Sequence, residues 1–136
     1  MRVLILCTRN SARSQMAEGL LRHDGGSAFE VSSAGTKPSH LCPEAIAVMK
    51  EIGIDISGHR SKSVDEFAGQ PFDYVITVCD NAKESCPVFP APTKRIHWSL
   101  EAPAAVQGSE EKRLAEFRRV RDQLRSLLGQ FAQEKP

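Results

Sequence analysis

Apolar residues along this chain follow two rhythms. Val3-Leu4-Ile5-Leu6 is a short unbroken apolar run, which by length and flanks predicts a strand buried on both faces and ending at Cys7. After the polar stretch Thr8-Arg9-Asn10-Ser11, Met16, Ala17, Leu20 and Leu21 recur at helical spacing within Ala12–His23, and Asp24-Gly25-Gly26 stops that helix. A second strand is predicted over Phe29–Ser33. Pro43 opens a helix through Ile46, Ala47, Met49 and Lys50 that Gly53 closes. Phe72–Val78, rich in β-branched residues, reads as a third central strand and Thr93–His97 as a shorter fourth. The last helix runs from about Ser109 to Phe131, with Ser109 as N-cap and acidic residues in the first turn. Leu114, Phe117, Val120, Leu124, Leu127, Leu128 and Phe131 form its apolar face.

Strands alternating with helices predict an α/β fold: a doubly wound, four-stranded parallel sheet with helices on both faces. In such folds ligands sit at the carboxyl ends of the strands. Cys7 follows the first predicted strand and Cys79 the third, so both fall at those ends. No linker or internal repeat divides the chain, and residues 1–136 are expected to form a single domain.

Composition narrows the function. With 18 Lys+Arg against 17 Asp+Glu, the net charge of +1 argues against a nucleic-acid binder that works by phosphate neutralisation. The apolar runs are far short of a membrane span, and the chain enters structure at Met1-Arg2-Val3 without a signal-peptide layout. A cytoplasmic location and no membrane partner are therefore expected, with a monomer as the default. Four cysteines in a reducing compartment are not expected to be static disulfides, and a domain of this size does not need them for stability. They are core fillers, or they do chemistry.

Cys7-Thr8-Arg9-Asn10-Ser11-Ala12-Arg13-Ser14 places a cysteine, five residues, an arginine and a hydroxyl residue between a strand and a helix N-terminus. The spacing alone is weak; the context strengthens it. A loop at that position points backbone amides of Thr8, Arg9, Asn10, Ser11, Ala12 and Arg13 at an oxyanion, and the helix dipole adds positive potential. The planar fork of Arg13 suits two oxygens of a tetrahedral anion. The same field favours the thiolate of Cys7, to which Ser14 can donate a hydrogen bond, while Asn10 suits a left-handed turn position or a side-chain brace. A buried end-of-strand thiol beside a solvated arginine is the bland alternative. Nucleotide loops do not fit, because the segment has no glycine and no Gly-Lys-Ser/Thr.

Cys7 to Ser14 followed by Gln15-Met16-Ala17-Glu18-Gly19 resembles the arsenate reductases built on the low-molecular-weight protein tyrosine phosphatase fold. Ser33-Ala34-Gly35-Thr36, Ala45 to Ser57, Val78-Cys79 with Cys86-Pro87, and His97-Trp98 continue the likeness over nearly the whole chain. The anion loop is shared with the phosphatases; the extra cysteines are more selective for the reductases.

Six residues separate Cys79 from Cys86. If they form a helix, the rise between the two cysteines is about 10.5 Å, whereas a disulfide needs Cα atoms within ~7 Å. The pair could then bond only if the segment unwinds, and Asp80, Asn81 and Pro87 make a helix there marginal. Zinc binding with His59 or His97 is a competitor, but the spacing is wider than in structural zinc sites and no metal is expected. Two inert small residues are the plain alternative. The resemblance implies a relay: Cys7 attacks arsenate, Cys79 then Cys86 resolve, and thioredoxin reduces the final disulfide, with no tightly bound cofactor. The alternatives are a tyrosine phosphatase using the same Cys7 and Arg13, and a non-catalytic thiol or arsenite sensor.

One departure concerns the proton donor. The family usually carries an Asp directly before a Pro after its His-Trp segment, but here Ala102 precedes Pro103, leaving Glu101 as the available carboxylic acid. Cys42 lies outside both clusters and is expected to be structural. His23, His40, His59 and His97 are expected to be structural or surface residues. The run Arg118-Arg119-Val120-Arg121, opposite the apolar stripe, is expected to be a solvated face.

Overall fold

The apolar run after Met1 becomes β1 (Arg2–Cys7), the strand that organises the rest. The computed structural model of the protein describes residues 1–78, 93–100 and 108–134. Within them β1 is followed by α1 (Arg13–Gly25), β2 (Glu30–Gly35), α2 (Pro43–Lys50), β3 (Tyr74–Thr77), β4 (Lys94–His97) and α3 (Glu110–Glu134), with short 3₁₀ turns at Gly26–Ala28 and Val64–Phe67. The strands form one four-stranded sheet in the order β2-β1-β3-β4, and every pairing is parallel. This confirms the α/β reading. The chain leaves β1 for β2 on one side and returns to β3 on the other, so the carboxyl end of β1 is the point where strand order reverses.

Val3, Leu4, Ile5 and Leu6 are completely buried, as a strand covered on both faces requires. The α1 helix packs on β1 and β2 and on α2 and α3, and its Gly19 allows the close approach: a Cβ there would meet Ile56 Cγ2 at 2.7 Å and Met49 Cε at 3.1 Å. The helix continues to Gly25 and ends where Gly26 turns to φ +62°. The α3 helix begins after Ser109, whose hydroxyl accepts from the Lys112 amide at 3.2 Å. Its buried face is Phe117, Val120, Leu124, Leu128 and Phe131, with Leu114 and Leu127 at the margin.

The arginine run is not a solvated face throughout. Arg121 is only 8% exposed; its Nη1 donates to the Val48 carbonyl at 2.8 Å and lies 2.9 Å from Glu51 Oε1, and Arg118 forms a second ion pair with Glu51 at 2.7 Å. Cations here meet the carbonyl end of α2, where the helix leaves acceptors unpaired. Among the described residues, no helix is long and apolar enough to cross a membrane.

Candidate active site

Cys7 closes β1 opposite Gly35 of β2, and its side chain is almost wholly buried. Two polar groups reach the sulfur. Ser14 Oγ, in the first turn of α1, is 2.9 Å from Sγ, and the Asn10 amide donates to Sγ at 3.2 Å. Ser14 lies one helical step beyond Arg13, so the start of α1 delivers both the hydroxyl and the guanidinium to the loop after β1.

The loop is held by its carbonyls. Cys7 O accepts from the Thr36 amide at 3.2 Å, Thr8 O from Lys37 at 2.8 Å, Arg9 O from Ser39 at 3.2 Å and Ser11 O from Cys42 at 2.9 Å. Asn10 O takes Gln15 Nε2 at 3.1 Å. Five successive carbonyls are thus engaged by other segments, an arrangement that would leave amides and Arg13, rather than acceptor oxygens, to meet an anion. Asn10 adopts φ +52°, the only non-glycine positive φ among the described residues. Its buried side chain is also a brace: Nδ2 donates to Ser14 Oγ at 2.7 Å and Ser33 Oγ at 3.0 Å, while Oδ1 accepts from Gln15 Nε2 at 3.0 Å and the Lys62 amide at 2.9 Å. Both roles expected of Asn10 are therefore filled by one residue.

Arg13 donates through Nη1 to the Leu100 carbonyl at 3.0 Å. Leu100 is buried, and the segment before it is fixed by the Trp98 amide donating to Thr77 O at 2.9 Å, which continues the parallel pairing of β4 with β3. Thr77 Oγ1 and His97 Nδ1 stand 2.7 Å apart. The guanidinium is thus tied to the residue immediately before Glu101. Cys79, Cys86 and Glu101 lie outside the described residues, as does Ala102.

Sequence reasoning missed the polar layer beneath the loop. Gln15, Glu18, Ser33, His59 and Lys62 converge there from three separate segments. The available signal was Glu18, a charged residue set among Met16, Ala17, Gly19, Leu20 and Leu21 on a helix whose inward face is apolar. His59 is half-buried and structural, as expected; burial pushes its pKa down, against the pull of Glu18. Cys42 N-caps α2 and hands its S–H to Glu44 Oε2 at 2.8 Å. Burial, seconded by that carboxylate, pushes its pKa up to about 11, the opposite of an activated thiol.

A family model of the low molecular weight phosphotyrosine protein phosphatases matches residues 2–135. The arsenate reductase of Bacillus subtilis is 44% identical over 131 residues, spanning 96% of this chain and 94% of that protein. A solved arsenate reductase in its phosphate binding state is 34% identical with a TM-score of 0.81, covering 99% of this chain and 98% of that one. The thioredoxin-dependent arsenate reductase of Corynebacterium glutamicum is 30% identical with a TM-score of 0.70, covering 99% of this chain and 63% of that one.

Proposed function

Because the chain belongs to the low molecular weight phosphotyrosine protein phosphatase family and, within it, to the arsenate reductases, we propose that it reduces arsenate to arsenite by a relay of three cysteines that thioredoxin resets. The observation that carries the reading is the sulfur of Cys7, held by Ser14 at 2.9 Å and the Asn10 amide at 3.2 Å where the first strand meets the N-terminus of α1. Donors facing a sulfur favour its thiolate.

Arsenate enters the cradle formed by the amides of Thr8, Arg9, Asn10, Ser11, Ala12 and Arg13, with the Arg13 fork on two of its oxygens. The Cys7 thiolate attacks arsenic, and the oxygen that departs takes a proton from Glu101 and leaves as water. The Cys79 thiolate then attacks Cys7 Sγ. The new S–S bond forms as the S–As pair of electrons passes to arsenic, which leaves as arsenite. Cys86 attacks Cys79 in turn, releasing Cys7 and leaving a Cys79–Cys86 disulfide. A thioredoxin dithiol supplies the two electrons that reduce it, so the chain needs no flavin or nicotinamide of its own. Thioredoxin dependence is a property of the Corynebacterium glutamicum relative, and the presence of both Cys79 and Cys86 here supports it. The reading treats residues 1–136 as one cytoplasmic domain working as a monomer.

Incubation with arsenate, thioredoxin, thioredoxin reductase and NADPH tests the proposal: NADPH oxidation must depend on arsenate. Hydrolysis of an aryl phosphate without it would mark a phosphatase, and arsenite binding without turnover a sensor. Cys79→Ser and Cys86→Ser are expected to stop after one turnover or fewer, and multiple turnovers by either variant would exclude the relay.

A further inference from the structure

The net charge of +1 gives the whole molecule almost no pull on an anion, so capture of one depends on where single charges stand. Three stretches of chain meet at Arg9. The loop after β1 carries it. The residues after β2 run beside it, the Lys37 amide donating to Thr8 O at 2.8 Å and the Ser39 amide to Arg9 O at 3.2 Å. Ser61 Oγ donates to the same Arg9 carbonyl at 2.7 Å and accepts from the Ser39 amide at 3.0 Å.

These stretches carry Arg9, Lys37, Arg60 and Lys62, and the fold treats the four cations differently. Arg60 is paired with Glu66 by two hydrogen bonds, at 2.7 and 3.1 Å, and Lys62 lies 3.8 Å from Glu18. Arg9 and Lys37 are exposed, and neither enters an ion pair among the described residues. Two positive charges are therefore left without a counter-charge. The backbone of Arg9 is part of the loop and that of Lys37 is hydrogen-bonded to it, so each charge stands one side-chain length from the loop amides. That is within the Debye length of about 10 Å at 0.1 M salt. A field of this kind acts without contact, and a dianion feels it twice as strongly as a monoanion.

We propose that Arg9 and Lys37 form a cationic collar that draws doubly charged tetrahedral oxyanions to the loop beside Cys7. The amides and Arg13 hold an anion at contact distance; the collar adds a pull that begins before contact. Arg9 then has two separate parts, its amide belonging to the cradle and its guanidinium to the collar. The inference rests on the loop being an oxyanion cradle. It does not depend on the cysteine relay, and its test uses neither Cys79, Cys86 nor thioredoxin.

The probe is inorganic sulfate, a tetrahedral dianion inert to thiols. Sulfate is titrated against alkylation of Cys7 by iodoacetamide, a neutral reagent, in the full chain, with peptide mass mapping to isolate Cys7. The sulfate concentration for half protection gives the affinity whatever the unprotected rate. At a constant ionic strength of about 0.05 M, Arg9→Gln and Lys37→Gln are each expected to weaken binding about threefold and the double variant about tenfold. Lys37→Arg keeps the charge and should bind as the wild type does. At about 0.5 M ionic strength the differences should fall below about twofold, because salt removes a field but not a contact. Side chains that merely prop the loop would behave otherwise, their loss persisting in high salt. Unchanged affinity in the double variant at low salt, a loss that high salt leaves in place, or a Lys37→Arg variant as weak as Lys37→Gln overturns the collar and leaves the cradle standing. A wild-type chain whose Cys7 sulfate does not protect overturns cradle and collar together.

Discussion

A methyl group on Gly35 would stand 2.5 Å from the Thr8 carbonyl oxygen and 2.9 Å from the Asn10 amide nitrogen. The glycine is needed because backbone packs on backbone: the end of β2 lies directly under the loop that Cys7 begins. Gly35→Ala must push that loop away, at a cost of about 1–3 kcal/mol for overpacking. Urea unfolding should show this loss, and titration with inorganic phosphate should show affinity reduced more than tenfold, since a displaced loop misaims several amides at once. Wild-type phosphate affinity in the variant would contradict the packing argument.

Asn10 supplies both an unusual backbone conformation and four side-chain hydrogen bonds. These contributions are separable. Asn10→Ala loses both and is expected to destabilise by about 2–4 kcal/mol, whereas Asn10→Gly tolerates φ +52° and should recover about 1 kcal/mol of that. Equal stabilities for the two variants would show that the backbone carries no strain.

Cys42 is expected to be the slow thiol. With its pKa pushed up to about 11 by burial and by Glu44, alkylation at pH 8 should run about a hundredfold slower than at an ordinary exposed cysteine. Glu44→Gln removes the negative charge facing the thiol and should accelerate Cys42 about tenfold, read by peptide mass mapping. Fast labelling of Cys42 in the wild type would rule out this arrangement.

Glu51 makes an acid-sensitive tie between α2 and α3. Hydrogen bonding from Arg118, then Arg121, holds its pKa down at about 2, against the upward push of burial. A carboxyl lowered on folding contributes fully above its ordinary value near 4.5 and loses that contribution as pH falls towards 2. The stability gap between wild type and Glu51→Gln should therefore be constant above about pH 5 and close below it. Side chains of the Arg118 pair are 41% and 38% exposed, so solvent screening limits the gap to about 1 kcal/mol. Urea midpoints at pH 7 and pH 3 check both statements.

The strand, loop and helix around Cys7 were legible because the residues are contiguous and each carries a local signal: an unbroken apolar run, a polar gap, then helical spacing. The second strand was displaced, expected over Phe29–Ser33 and found at Glu30–Gly35. Its last residues, Ala34 and Gly35, are small because the loop lies on them, and small residues give no hydrophobic signal. Glu18, Ser33, His59 and Lys62 meet only through the fold, and no period links their positions. The ties of Arg118 and Arg121 were missed for the same reason, since Glu51 is 67 and 70 residues away along the chain. Periodicity reports which side of a helix faces inward; it does not report what stands opposite.

Cys7 is the last residue of a strand hydrogen-bonded on both sides, with Gly35 as its neighbour in β2 and the Val78 amide donating to Leu6 O at 2.9 Å on the β3 side. Its sulfur is gripped by two further hydrogen bonds. A thiol anchored in this way cannot travel. Any sulfur that exchanges with it has to make the whole journey, arriving in line with a bond whose position is set in advance. In the proposed relay the slow coordinate of disulfide exchange then belongs to the incoming sulfur, and solvent viscosity is expected to brake the resolving step while leaving the proposed first attack on arsenate untouched.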